Sequence, residues 1–198
     1  MKMREIFRGK MLLAGACMMI GLCTWGPSHS FAQDVSPVVE MTVNFDAARA
    51  NTVPAYNFWM QGGSVQVCGR VTHHWGAATD ISYLHTAQMP GTQIGLDLVT
   101  AVFGPRYTIT LPSGRFRVYG QALGGVTHGM NSVFPNSQGS SVSTTGAALL
   151  LGGGWDYGIS HRVSVRILDA AWLRTALSNG TTTVQNNLRL GSGIVFRF

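Results

Sequence analysis

Acyl-transfer chemistry needs a nucleophile, an imidazole to take its proton and a carboxylate to orient the imidazole. The chain holds candidates in His85 and His128, with Ser132, Ser82 and Asp80. Nothing around these serines resembles a nucleophile elbow, and a histidine near a loop end is ordinarily a solvated one. His73 and His74 could ligate a metal, but neighbours on a strand point to opposite faces, so turn polarity is the better account. No P-loop, dinucleotide fingerprint or zinc spacing occurs, and no cofactor or metal is expected. Asn179-Gly180-Thr181 matches a glycosylation sequon formally, yet it reads as a turn tip. What remains is a set of charges of both signs: Glu40, Asp46, Asp80, Asp97 and Asp156 against Arg70, Arg117, Arg166, Arg189 and Arg197.

The elements that must position these charges are strands. In "VVEMTVNFD", Val39, Met41, Val43 and Phe45 alternate with Glu40, Thr42, Asn44 and Asp46. The same period of two, the signature of a two-faced strand, recurs in "SVQVCGRVT", "AATDISYLH", "IGLDLVTAVFG", "RFRVYGQALGG", "TGAALLLGGGW", "RVSVRILDAAWL" and "NNLRLGSGIVFRF". Eight strands are expected, and no helix. In the seventh, strict alternation would turn Asp169 to the apolar side. A β-bulge near Ile167 and Leu168 is expected to return it to the face of Arg166. In "IGLDLVTAVFG", the pattern sets Ile94, Leu96, Leu98 and Val102 on the apolar face against Asp97. Short turns at His73, Leu111 and Gly158 alternate with longer polar connections, among them 47–61, 86–93 and 129–141.

The first 32 residues stand apart. Lys2, Arg4, Arg8 and Lys10 precede the apolar run Met11 to Trp25, and Ser30 and Ala32 supply small residues for cleavage, as in a secretory signal peptide. Residues 1–32 are therefore expected to be removed, and 33–198 to form one barrel domain. Four of the 14 basic and one of the 8 acidic residues lie in that leader, leaving 10 and 7, net +3. A charge this small gives no ground for a nucleic-acid partner. Two of the three cysteines leave as well, so Cys68 reads as a small strand hydrophobe without a disulfide partner. At 11%, charged residues are less than half their usual share. No later run is long enough for a spanning helix.

Alternation alone does not say which face is inside. A soluble barrel buries its apolar set; a membrane barrel shows it to lipid. The polar face here is rich in Gly, Ala and Ser with a few charges of both signs, which suits a narrow interior. An arginine facing lipid at the midplane costs about 2–4 kcal/mol, so charges on a spanning strand should turn inward. Aromatics gather near the short turns (Trp75, Tyr107, Phe116, Trp155, Tyr157 and Phe198), as in an interfacial girdle. The expected fold is all-β: an eight-stranded, closed, antiparallel, up-and-down transmembrane β-barrel. Val67, Leu96, Leu149 and Ile194 are expected to face lipid, and Gln66, Asp97, Ala148 and Arg189 the interior. The interior charge network is expected to comprise Glu40, Asp46, Arg70, Asp97, Arg117, Arg166, Arg189 and Arg197, with Glu40 reaching Arg197 across the closing seam.

The chain ends "GIVFRF", which resembles the C-terminal assembly signal of bacterial outer-membrane proteins in Gly193, Phe196 and Phe198. With "FGPRY", "YGQALGG" and "LGGGWDYGIS", the chain resembles the small outer-membrane β-barrel families, the OmpA-type and OmpX-type transmembrane domains. The resemblance implies export to the bacterial outer membrane, contact with its lipid, and recognition of the last strand by the assembly machinery. It also implies a structural or surface-interaction role through extracellular loops, here 47–61 and 129–141, with Tyr56 to Trp59 as an aromatic cluster. No ligand for the loops is specified by the sequence, and no peptidoglycan-binding domain is expected. The alternatives are a narrow porin-like channel and, further off, a lipid-A-modifying enzyme using His85 or His128.

Overall fold

The structure is a computed structural model that describes residues 39–53, 56–89, 94–136, 139–177 and 183–198. The leader and its cleavage site lie outside the described residues. The strands are β1 (Val39–Val53), β2 (Tyr56–Arg70), β3 (Trp75–Thr86), β4 (Leu96–Thr110), β5 (Phe116–Met130), β6 (Phe134–Asn136), β7 (Gly139–Ser141), β8 (Thr144–Gly158), β9 (Val163–Thr175) and β10 (Gln185–Arg197). Eight of them close into an antiparallel barrel in the order β1-β10-β9-β8-β5-β4-β3-β2, while β6 and β7 form a separate small hairpin. The seam joins first and last strands from Glu40↔Arg197 to Arg49↔Leu188. No helix occurs among the described residues.

Local chemistry sets the short turns. Gly114 takes the left-handed φ of +68°, open to glycine at no steric cost, and its N–H reaches the Leu111 carbonyl at 2.9 Å. Thr72 Oγ1 accepts from the Trp75 N–H at 3.1 Å. Ser160 Oγ accepts from Arg162 and Val163 N–H groups at 3.3 and 3.0 Å. Such hydroxyl-to-backbone bonds hold a reversal without long connecting chain.

The faces are inverted relative to a soluble protein. Phe45 is 60%, Phe103 57% and Ile81 55% exposed, whereas Thr42, Gln66, Asp80 and Arg189 are buried. Val67, Leu149 and Ile194 also point outward, and Ala148 points in. The β9 bulge is present: Trp155 pairs with Leu168 and Asp156 with Arg166, so one extra residue enters β9. Ile167 and Leu168 both face out, and Asp169 returns to the buried side.

Two expectations are corrected. First, 47–53 and 56–61 are strand and not loop. β1 and β2 continue in register through Ala47↔Gln61, Ala48↔Met60, Arg49↔Trp59 and Ala50↔Phe58. Alanines on the inner face give the alternation too little apolar contrast to be seen, yet they leave room for Met60 and Phe58, both buried. Trp59 points outward at 57% exposure, so Phe58 and Trp59 face opposite ways and do not form one exposed cluster. Second, β4 faces the other way. Leu96, Leu98 and Val102 are buried, and the outward parity is that of Phe103, Tyr107 and Ile109. Leu96 therefore does not face lipid, and Asp97 shares the outward parity. The expected strand stopped at Gly104, before a proline that usually ends a strand; β4 runs through Pro105 to Thr110, and that half carries the lipid-facing aromatics.

The interior is tiered. On β3, β4, β5, β8 and β9, the buried inner leucines lie toward the long connections and the buried inner charges toward the short turns, with Thr100, Thr127 and Thr175 among the leucines. Leu84, Leu96, Leu98, Leu123, Leu150 and Leu173 belong to one buried cluster with Met60 and Phe58. Phe134, from the β6–β7 hairpin, joins that cluster, and its ring lies where a side chain on Gly129 would be, 2.6 Å from an ideal Cβ.

Candidate functional site

The polar tier is held by arginines, of which Arg189 and Arg166 reach across the lumen. Arg189 on β10 donates two bonds to Asp80 on β3, at 2.8 and 2.9 Å. This fork-to-carboxylate geometry is the strong form of the ion pair. Arg166 donates from Nε to Asp156 Oδ1 at 2.9 Å, from Nη1 to Gln66 Oε1 at 2.8 Å and, more weakly, to Asp169 Oδ2 at 3.4 Å. Tyr119 completes the cluster. Its hydroxyl donates to Asp169 Oδ2 at 2.9 Å, and its ring lies 3.8 Å from the Arg106 guanidinium carbon and 4.4 Å from that of Arg166. Arg106 donates to Gln66 Oε1 and, at 3.2 Å, to Gln121 Oε1. A side chain on Gly154 would come within 2.6 Å of the Tyr119 hydroxyl, so glycine there is what admits the tyrosine.

Toward the short turns a second group forms around Glu40. Arg117 binds its Oε1 directly, Arg197 Nε lies 3.4 Å away and Arg70 Nη2 3.8 Å. Arg197 also donates to Ser164 Oγ at 2.5 Å. Asp46 is fully buried beside Gly191, and neither carboxylate oxygen has a hydrogen-bond partner among the described residues.

Of the eight residues expected in the network, Glu40, Arg70, Arg117 and Arg197 meet one another, Arg166 and Arg189 meet other acids, and Asp46 lies near Arg189 without a close hydrogen bond among the described residues. Asp97 does not belong to it. It lies at the long-connection end on the outer parity, where Tyr83 donates to it at 2.9 Å, His85 Nδ1 lies at 2.5 Å and Asn131 donates to its other oxygen. Burial alone would push its carboxyl up, but the bonds from His85, Asn131 and Tyr83 outweigh this and hold it below the usual carboxylate range. Arg106 and Tyr119 complete the network unforeseen, Arg106 because β4 was expected to end before it.

Of the side chains considered for acyl transfer, Ser132 is buried and follows Asn131, the residue that donates to Asp97. Ser82 and Asp80 are inside the barrel, His85 is bound to Asp97, and His128 shares a 2.7 Å contact with Thr145. His74 stacks on Tyr107, 5.5 Å between centroids.

No family model matches the chain, and no curated protein matches it. Solved structures do. Neisserial surface protein A superposes with a TM-score of 0.59 at 17% identity, covering 81% of this chain and 97% of that one. Ail, the attachment invasion locus protein of Yersinia pestis, gives 0.57 at 15%, covering 83% and 100%. In its complex with the heparin analogue sucrose octasulfate, Ail gives 0.56 at 16% with the same coverage. Identities this low carry the fold and nothing finer. Closed order, inverted faces and these superpositions agree: the chain has the fold of the small eight-stranded outer-membrane β-barrels.

Proposed function

We propose that the protein resides in the bacterial outer membrane after signal-directed export and acts there through its surface-exposed end, as a structural or adhesive barrel and not as a conduit. The observation that carries this reading is the stacked interior. An ion entering from the short-turn end meets paired charges and then leucines, one from the other end meets the leucines first, and an apolar constriction sheds water. The long-connection end, by contrast, projects material outward. β1 and β2 are 15 residues each, while about 9–11 suffice to span a bilayer, and Trp59 stands opposite the outward-facing Arg49.

Gly193, Phe196 and Phe198 are the residues through which the last strand would be read for assembly. Phe196 and Phe198 lie on the outer, lipid-facing parity. Planar-bilayer recording tests the reading: the purified protein should give no steady conductance, and a stable open channel would replace it with the pore. Lipid-A mass spectrometry of cells with and without the gene should show identical species; a change in acylation would favour an enzyme.

A further inference from the structure

The short-turn end contains a cavity of about 860 Å³ whose lining is unlike the balanced tier above it. Arg70, Arg117, Arg162 and Arg197 all border it, and Glu40 is the carboxylate that three of them share. A guanidinium brings five N–H donors and a carboxylate about four acceptor sites, so one acid cannot satisfy three arginines. The surplus is visible in the bonding. Arg117 is 5% exposed, yet its Nε and Nη2 have no hydrogen-bond partner among the described residues, and Nη2 is 3.7 Å from Asp156. Arg197 Nε is buried and also without a hydrogen bond among the described residues, although Glu40 lies 3.4 Å away. Charged donors left unmade in a buried place are costly, and the residues that carry them line a space large enough to hold an acceptor.

We propose that this cavity binds a phosphate-type oxyanion. A tetrahedral oxyanion presents acceptors in several directions at once, which suits forks converging from β2, β5, β10 and the β8–β9 turn. Two sources share that chemistry: free phosphate, and the phosphodiester headgroup of a lipid. Phe196 and Phe198 border the same cavity, so a headgroup bent over the rim would keep its chains beside aromatic rings. The site does not depend on the role proposed above; only the leaflet that would supply such a lipid does.

The test uses the full protein extracted in a non-ionic detergent, titrated calorimetrically with inorganic phosphate against chloride at constant ionic strength. Saturable binding is expected, weakened by about tenfold in Arg70→Gln and in Arg162→Gln, each losing one charge-assisted contact. Arg70 and Arg162 lie outside the Asp80 and Asp156 pairs, and heat-modifiability gels check that both variants fold. Arg117→Gln adds a third, deeper probe. Displacement of phosphate by phosphatidylglycerol would assign a lipid headgroup as the source; saturable binding without displacement would assign free phosphate. Absence of saturable binding in both arms, or binding that Arg70→Gln and Arg162→Gln leave unchanged, overturns the proposal.

Discussion

Asp80 and Asp46 are both carboxylates sealed inside the barrel, but their surroundings differ. Asp80 accepts both arms of the Arg189 fork. Removing it in Asp80→Ala strands a buried guanidinium and should destabilise the barrel by about 3–5 kcal/mol, read as a lower urea midpoint in refolding titrations. Asp46→Asn keeps the shape and removes a buried carboxylate that forms no close hydrogen bond among the described residues, so its midpoint should stay at or above the wild-type value. Asp97 supplies a pH dependence at the other end. Its folded pKa is depressed, so its contribution is full above the unfolded value, about 3.9, and is lost as pH falls through the lower folded value. A fluorophore at Val133, next to the Asn131 anchor, should therefore gain mobility only below about pH 4, and Asp97→Asn should show that mobility at neutral pH. Which residues carry charge into the interior was mostly legible from parity. Their partners were not, since Arg189 reaches Asp80 across the lumen, past β1 and β2, and no register records such a reach.

Among the strands, β4 shows why a pattern can mislead. Read from Ile94 to Gly104, it puts leucines on one face and Asp97 on the other, and the leucines look lipid-facing. The strand is in fact divided between two environments. Its upper inner residues fill the apolar tier, and its lower outer ones, Phe103, Tyr107 and Ile109, meet lipid. Apolar residues are wanted on both faces at different heights, so hydropathy alone cannot choose. Arg106 decides it, because its parity must be inward. Single-cysteine labels in a Cys68→Ser background check the assignment: labels at Phe103 and Ile109 should be quenched strongly by lipid-borne quenchers, and a label at Leu98 should not. The β9 bulge was legible because one charge, Asp169, would otherwise have faced lipid. The upper reach of β1 and β2 was not, because alanines give the alternation no amplitude.

For the whole molecule, strand number, closure and inversion could be read from alternation and turn lengths, since a membrane barrel repeats one constraint eight times. The layering of the lumen could not, because it depends on where strands lie in height after they tilt. Replacing Phe198 by Asp should lower the amount of heat-modifiable, protease-resistant protein in the outer membrane several-fold while export continues; undiminished folded protein in membrane fractions would count against the assembly role of that residue.

The seam between β1 and β10 has a temporal meaning as well. Its partners, Glu40↔Arg197 through Arg49↔Leu188, lie at opposite ends of the described chain, so the cylinder cannot shut until its last strand has been synthesised. Closure is a single contact of very long range, the kind that folds slowly because its loop entropy is met before any reward. Until then two sheet edges stand open, each a template for a stray strand. The interval in which the free edges of β1 and β10 are at risk therefore ends only when these two strands meet.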